Sequence, residues 1–159
     1  MALRTSVLKA KKCSFAVDIT ADYGDVVQSF SMDCEADKEG NVTFCVTAPE
    51  TISGITGGIE NEGGKLTFDE EVLYFQLFAD DILSPVSAPW ILMKTLRAGY
   101  LKSAGMDEDR ILLTIDDSYE EDALQVDIWL DENDFPERAD ILQEGRRILS
   151  LKVKNFALS

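Results

Sequence analysis

The sequence predicts an α+β fold: a strongly curled antiparallel sheet of about ten strands, a half-barrel. One main helix at about 87–103 and an N-terminal helix remnant pack against it. Three observations carry this. Apolar and polar residues alternate at period two through most of 13–46 and 111–156, the mark of half-buried strands. Short turn signals separate these runs, which joins neighbours as antiparallel hairpins. Helical spacing of apolar residues is strong in a single stretch, Ile91, Leu92, Thr95, Leu96 and Gly99.

In chain order, residues 2–11 are weakly helical and basic. Phe15, Val17 and Ile19 alternate with polar or small neighbours. The turn Asp22-Tyr23-Gly24 follows, and Val26, Gln28, Phe30, Met32 and Cys34 form the next apolar face. Opposed residues in a hairpin share a face. Pairing Phe15 with Phe30 therefore also pairs Val17 with Gln28 and Ile19 with Val26. Pairing Met32 with Val46 also pairs Cys34 with Phe44. That leaves Lys38-Glu39-Gly40 as a three-residue loop with glycine in the left-handed region.

Pro49 ends or edges the third strand. Ile52, Ile55 and Ile59 alternate with glycines, which points to a bulge or bend where the sheet curls. Gly63-Gly64 reads as a turn, 66–68 and 72–77 as short strands, and 80–85 as a loop. Ser87 is the expected N-cap of the helix, with Pro89 in its first turn and Gly105 as a stop signal. After it, Ile111, Leu113 and Ile115 form a strand, and Leu124, Val126, Ile128 and Leu130 another. Asp131 to Asp134 is a turn, 135–143 a strand and Gly145-Arg146 a turn. Leu149, Leu151 and Val153 begin a last strand that runs to about Phe156.

The chain has 159 residues, 45% of them hydrophobic, so a single domain over 1–159 with a filled core is expected. Thirty acidic and 15 basic residues give a net charge of −15, with no histidine. That charge repels phosphate backbones and bare anionic lipid, so no nucleic-acid partner is expected. No apolar run is long enough to span a bilayer.

No enzyme chemistry emerges. Ser-His-Asp and Cys-His arrangements are excluded without histidine. The acidic pairs Asp80-Asp81 and Asp116-Asp117 and the run Glu120-Glu121-Asp122 fall in loops, where such residues are usually solvated. Asp131-Glu132-Asn133-Asp134 starts like a calcium loop but has Pro136 and Leu142 where glycine and glutamate are required. Gly58 to Lys65 fails as a phosphate loop. Cys13, Cys34 and Cys45 read as small buried hydrophobes without a disulfide, with Cys13 opposite Met32 and Cys45 on the other face. Neither a catalytic residue, a metal ligand nor a cofactor is assigned.

What remains is a wide apolar sheet face. One helix covers only part of it. Either the sheet curls over the helix and fills a core, or it leaves a hollow for an apolar ligand. The candidate lining is Phe15, Val17, Ile19, Phe30, Met32, Phe44, Val46, Trp90, Leu124, Val126 and Ile128.

The order of elements resembles the lipoprotein-carrier (LolA-like) superfamily, and within it the extracytoplasmic lipoproteins of Gram-positive bacteria. The resemblance rests on the leading helix remnant, SFAVDIT, VTFCVTAPETISGIT, GGKLTFD, the helix after SPVSAPW, and the closing WLDENDFPERADI and LSLKVKNFAL strands. It implies a half-barrel closed by helices around a hollow that binds acyl chains. A lipid or lipidated protein is the implied partner, and a monomer is expected. It also implies an export signal and a lipidated cysteine upstream of Met1, tethering the protein outside the cell membrane. The family's carriers hold their closed state with an arginine on an early strand. The stretch from Ser14 to Ala48 contains no arginine, so hand-over to an outer membrane is not implied.

Overall fold

The computed structural model describes residues 2–60, 63–68, 71–76, 78–79, 82–121 and 123–159. Among these the fold is α+β. Helix α1 (Ala2–Lys9) leads into β1 (Lys12–Asp22), β2 (Val27–Asp37) and β3 (Val42–Ala48). A 3-10 turn follows at Glu50–Ile52, and a second, Pro85–Ser87, stands just before the second helix. Then come β4 (Thr56–Glu60), β5 (Gly63–Phe68), β6 (Glu71–Gln76) and the two-residue strands β7 (Phe78–Ala79) and β8 (Ile82–Leu83). Helix α2 (Ala88–Ala98) is followed by β9 (Tyr100–Asp107), β10 (Arg110–Asp116), β11 (Gln125–Leu130), β12 (Pro136–Gln143) and β13 (Arg146–Leu158). Eleven strands form one open antiparallel sheet in the order β6-β5-β4-β3-β2-β1-β13-β12-β11-β10-β9, and β7 and β8 pair separately. The central pair, β1 with β13, joins the two ends of the chain. Each half of the sheet is a meander running outward from it.

The β2–β3 hairpin forms as the residues dictate. Met32 faces Val46 and Cys34 faces Phe44. The Asp37 carboxylate accepts from the Glu39 and Asn41 amides at 2.9 Å each. Gly40 takes φ +90°, which only glycine adopts cheaply.

The β1–β2 register differs from the expected one. Phe15 faces Cys34, Val17 faces Met32 and Ile19 faces Phe30. Strand β1 runs on to Asp22, and Asp22 opposite Val27 leaves a tight turn closed by Tyr23 N–H donating to the Val26 carbonyl at 3.0 Å. Gln28 and Val26, expected on the buried face, are exposed. Cys13 consequently faces Ala36 rather than Met32.

Four further expectations change. The strand through Ile52 and Ile55 begins only at Thr56, because 49–55 folds into the 3-10 turn and a loop that bonds back to Val46. Gly63-Gly64 is not a turn: both are strand residues that pair with β4 and with β6. The loop 80–85 contains β8, which pairs with β7. Leu77, Asp80, Asp81 and Asp122 lie outside the described residues. The helix is shorter than 87–103. Ser87 already has helical angles and donates its hydroxyl to the Ser84 carbonyl, so it caps nothing. At the other end Gly99 turns the chain into β9. A Cβ there would sit 2.5 Å from the Ile115 Cγ2 and 2.7 Å from the Thr95 carbonyl. Lys102 and Gly105 are therefore strand residues.

Period two sorts the sheet into two faces. The inner face holds Phe15, Cys34 and Phe44 in one row and Val17, Met32 and Val46 in the next. It continues through Leu151, Ala139, Ile128 and Leu113 to the far edge. Both helices lie against it: Leu3 and Val7 of α1, and Ile91, Leu92, Met93 and Leu96 of α2, join the same buried cluster. Gly57 belongs to this face, and a Cβ on it would lie 2.5 Å from both the Phe44 ring and the Lys65 carbonyl. Gly58 belongs to the outer face, and nothing lies closer than 3.5 Å to its Cβ position. Gly57→Ala should therefore cost about 1–3 kcal/mol by overpacking. Gly58→Ala should be neutral, or stabilising by about 0.5 kcal/mol through lost chain entropy. Urea unfolding of the two variants checks the contrast.

Candidate functional site

The inner face brings all the candidate residues together except one. Phe15, Val17, Ile19, Phe30, Met32, Phe44, Val46, Leu124, Val126 and Ile128 are buried in a single apolar cluster, and Trp90 packs against it half-buried. Trp90 lies on the one stripe of α2 that meets solvent, with Lys94 stacked over its ring at 5.2 Å. The rest of α2 is enclosed by the sheet and α1. An eleven-residue helix is buried on that many sides only when its sequence is apolar nearly all round, as this one is.

Arginines hold α2 in place. The Arg4 guanidinium on α1 donates to three carbonyls at the C-terminal end of α2: Leu96 at 2.8 Å, Thr95 at 3.1 Å and Gly99 at 2.7 Å. A helix leaves its last carbonyls without partners and carries negative charge there, so a cation satisfies both. Arg97 reaches the Lys38 carbonyl at 2.7 Å and fastens α2 to the β2–β3 turn. No motif marks Arg4 in the sequence. Its role follows from α1 lying beside α2.

One polar group is left over. Thr95 is fully buried, and its hydroxyl has no hydrogen-bond partner among the described residues. A buried hydroxyl without a partner costs about 1–3 kcal/mol. Mid-helix threonines usually donate to the carbonyl four residues back, and this one does not.

The helices leave part of the apolar face uncovered. Met106, Ala104 and Leu101 on β9 stand opposite Ile111, Leu113 and Ile115 of β10. They continue the inner face to the edge of the sheet, yet Leu101 is 48% and Met106 67% exposed. Periodicity alone could not show this, because it fixes which face a residue is on and not what covers it.

The acidic pair Asp116-Asp117 serves structure. Asp117 accepts the Leu124 amide at 2.8 Å and lies 3.8 Å from Lys94. Asp116 lies 3.8 Å from Lys102. Asp131 ties its own turn by accepting the Asn133 and Phe135 amides at 2.8 and 3.0 Å. Among the described residues no three candidate ligand side chains converge as a metal site.

No family model matches the chain, and no curated protein matches it. Solved structures do match over nearly its whole length. A conserved uncharacterised protein of Thermus thermophilus aligns at TM-score 0.53 and 11% identity, over 98% of this chain and 83% of that one. A domain described as an outer membrane lipoprotein-sorting protein, from Vibrio parahaemolyticus, aligns at 0.50 and 9% identity, over 98% and 89%. A chain of the complex between the CwlD amidase and the GerS lipoprotein of Clostridioides difficile aligns at 0.50 and 11%, over 99% and 92%. The chain shares its fold with these proteins. Identities this low speak to the fold alone.

The thiols give a direct test of the inner face. All three cysteines are free. Burial pushes the Cys13 thiol up to about 12. Burial, with the Asp33 carboxylate adding to it, raises Cys34 as well. Their thiolates are therefore scarce at neutral pH. At pH 8 iodoacetamide should label the half-buried Cys45 alone. All three should react in denaturant, with mass spectrometry of the adducts as the readout. Cys13 and Cys34 favour the protonated form when folded, so their stabilising contribution holds below the free-thiol pKa and is lost as pH rises above it.

Proposed function

We propose that this chain is a non-enzymatic, extracytoplasmic binding protein. Its ligand is apolar, a lipid or the acyl chain of a lipidated protein, held between the inner sheet face and α2. The observation that carries the reading is the apolar face running uncovered onto β9 through Leu101 and Met106. A ligand laid there would bury both and lead toward α2. Displacing that helix would turn Phe15, Val17, Ile19, Phe30, Met32, Phe44, Val46, Trp90, Leu124, Val126 and Ile128 from packed core into ligand lining. The unsatisfied Thr95 hydroxyl supports this reading, since a ligand's polar head would supply its missing partner. The lipoprotein-sorting neighbour supports it as an analogy of fold. An upstream lipid anchor would tether such a protein to the cell membrane, with the domain acting as a monomer.

A second reading has its own observation. Ten of the eleven candidate residues are buried in one continuous cluster, as in a solid core. That favours a protein-interaction scaffold with no small ligand.

Native mass spectrometry of the purified protein, before and after incubation with oleate and with phospholipid vesicles, separates the two. The binding reading expects a stoichiometric acyl-chain adduct that organic extraction releases. A clean apo mass under both conditions overturns it in favour of the scaffold. Thr95→Val, nearly isosteric, should raise stability by about 1 kcal/mol by removing the unsatisfied hydroxyl. It should also weaken oleate binding, read as a shift in the tryptophan fluorescence titration.

A further inference from the structure

The outer face of the sheet carries a second feature, independent of the apolar one. The ladders from β1 to β6 set Ser14, Glu35, Thr43, Gly58, Lys65 and Tyr74 opposite one another in a single row across six strands. The next row along the strands includes Asp33, Thr56 and Thr67. All of these residues but Tyr74 line an open cavity of about 820 Å³. A neighbouring cavity of about 480 Å³ shares Gly58, Glu60 and Lys65 with it and extends to Tyr74. Six strands at their usual spacing make the trough roughly 24 Å long.

Three properties distinguish this trough from ordinary solvated sheet. Its floor is low where Thr43, Thr56 and Gly58 meet, and no clash requires glycine at Gly58, since a Cβ there would make only ordinary contacts, 3.5 Å from the Val42 carbonyl and 3.7 Å from the Thr43 methyl. Its charged rim is unspent. Glu35 is paired with Lys12 at 3.0 Å, but the Asp33 and Glu60 carboxylates have neither an ion pair nor a hydrogen bond to a described residue. Its far end carries Tyr74, 77% exposed, a flat face on which a cation can rest.

We propose that this trough binds an extended peptide segment bearing two cationic side chains, presented by a partner protein. Charge complementarity selects this occupant. Asp33, Glu35 and Glu60 outnumber Lys65 among the lining residues. A chain of net charge −15 surrounds the trough with negative potential, which attracts cations and repels phosphate, nucleic acid and anionic lipid headgroups. The length fits as well. Asp33 and Glu60 sit two strands and two rows apart, roughly 16 Å on the sheet lattice, which about five extended residues span. Each free carboxylate then takes one ammonium or guanidinium. Lys65, on β5 next to the strand of Glu60, faces the peptide's carbonyl groups.

The test uses the folded chain and a capped hexapeptide with lysine at its first and last positions and serine or alanine between. Binding is followed by amide chemical shifts at low salt. Expected are shifts confined to β1–β6, and affinity that falls as salt rises. Asp33→Asn with Glu60→Gln should weaken binding at least tenfold. Glu108→Gln with Asp109→Asn makes the same change in net charge on the far side of the sheet and should leave affinity within twofold. Gly58→Leu, which fills the floor, should abolish binding while the protein stays folded. The proposal is overturned if the two charge pairs weaken binding equally, if Gly58→Leu binds normally, or if the peptide causes no shifts. It is overturned in favour of a glycan site if chitotetraose, a neutral sugar chain, binds in the trough and the peptide does not.

Discussion

An antiparallel sheet that alternates apolar and polar residues has to hide one face from water, and here that face spans eleven strands while the helices offered to cover it have eight and eleven residues. Burial is roughly proportional to apolar area removed from water. The sheet therefore gathers around the helices instead of lying flat beneath them, and α2 ends up enclosed. An enclosed helix cannot be amphipathic in the usual sense. It keeps a single wet stripe through Trp90, Lys94 and Arg97 and is otherwise apolar except for the buried Thr95. Its end carbonyls lie away from bulk water as well, which is why an arginine from α1 must supply their partners. The curl, the composition of α2 and the position of Arg4 all answer the same shortage of cover.

That shortage is met at the middle of the sheet and not at its margin. The central strands β1, β2, β13 and β12 are sealed by the helices, while β9 keeps apolar residues in the open. Edge strands are usually blunted by charge or bulges because their free backbone groups recruit other chains. Here β9 carries one lysine, a register shift against β10, and the acidic turn Asp107-Glu108-Asp109 at its end. These features discourage pairing with another strand. They leave the apolar side chains free for a ligand approaching from the face.

Much of the fold is legible in the sequence because period two is a robust signal. The expected β1–β2 register differs from the observed one by four residues, yet Phe15, Val17, Ile19, Phe30 and Met32 all reach the inner face. An even slip preserves face parity, and an odd one would have reversed every assignment. Gln28 shows what parity cannot do. It has the right phase and is exposed, because burial depends on what lies above it. The helix end departs from expectation for a different reason. Lys102 continues the helical spacing, but the contact of Gly99 with Ile115, distant in sequence, sends the chain into a strand. A tertiary contact overrides a local pattern, and no window of neighbouring residues contains it.

The outer trough is illegible for the opposite reason. Ser14, Glu35, Thr43 and Lys65 are what any solvated strand face carries, and each alone reads as the polar half of an alternation. Their meaning arises only when five ladders place them in one row and a glycine leaves the middle low. Gly58 is the informative residue. Glycine in a strand weakens it unless close packing or a special backbone angle requires it. Gly57, one position earlier, meets that requirement against Phe44, and Gly58 does not. Two adjacent glycines on one strand thus have different explanations, the first in the core beneath the sheet and the second in the space above it.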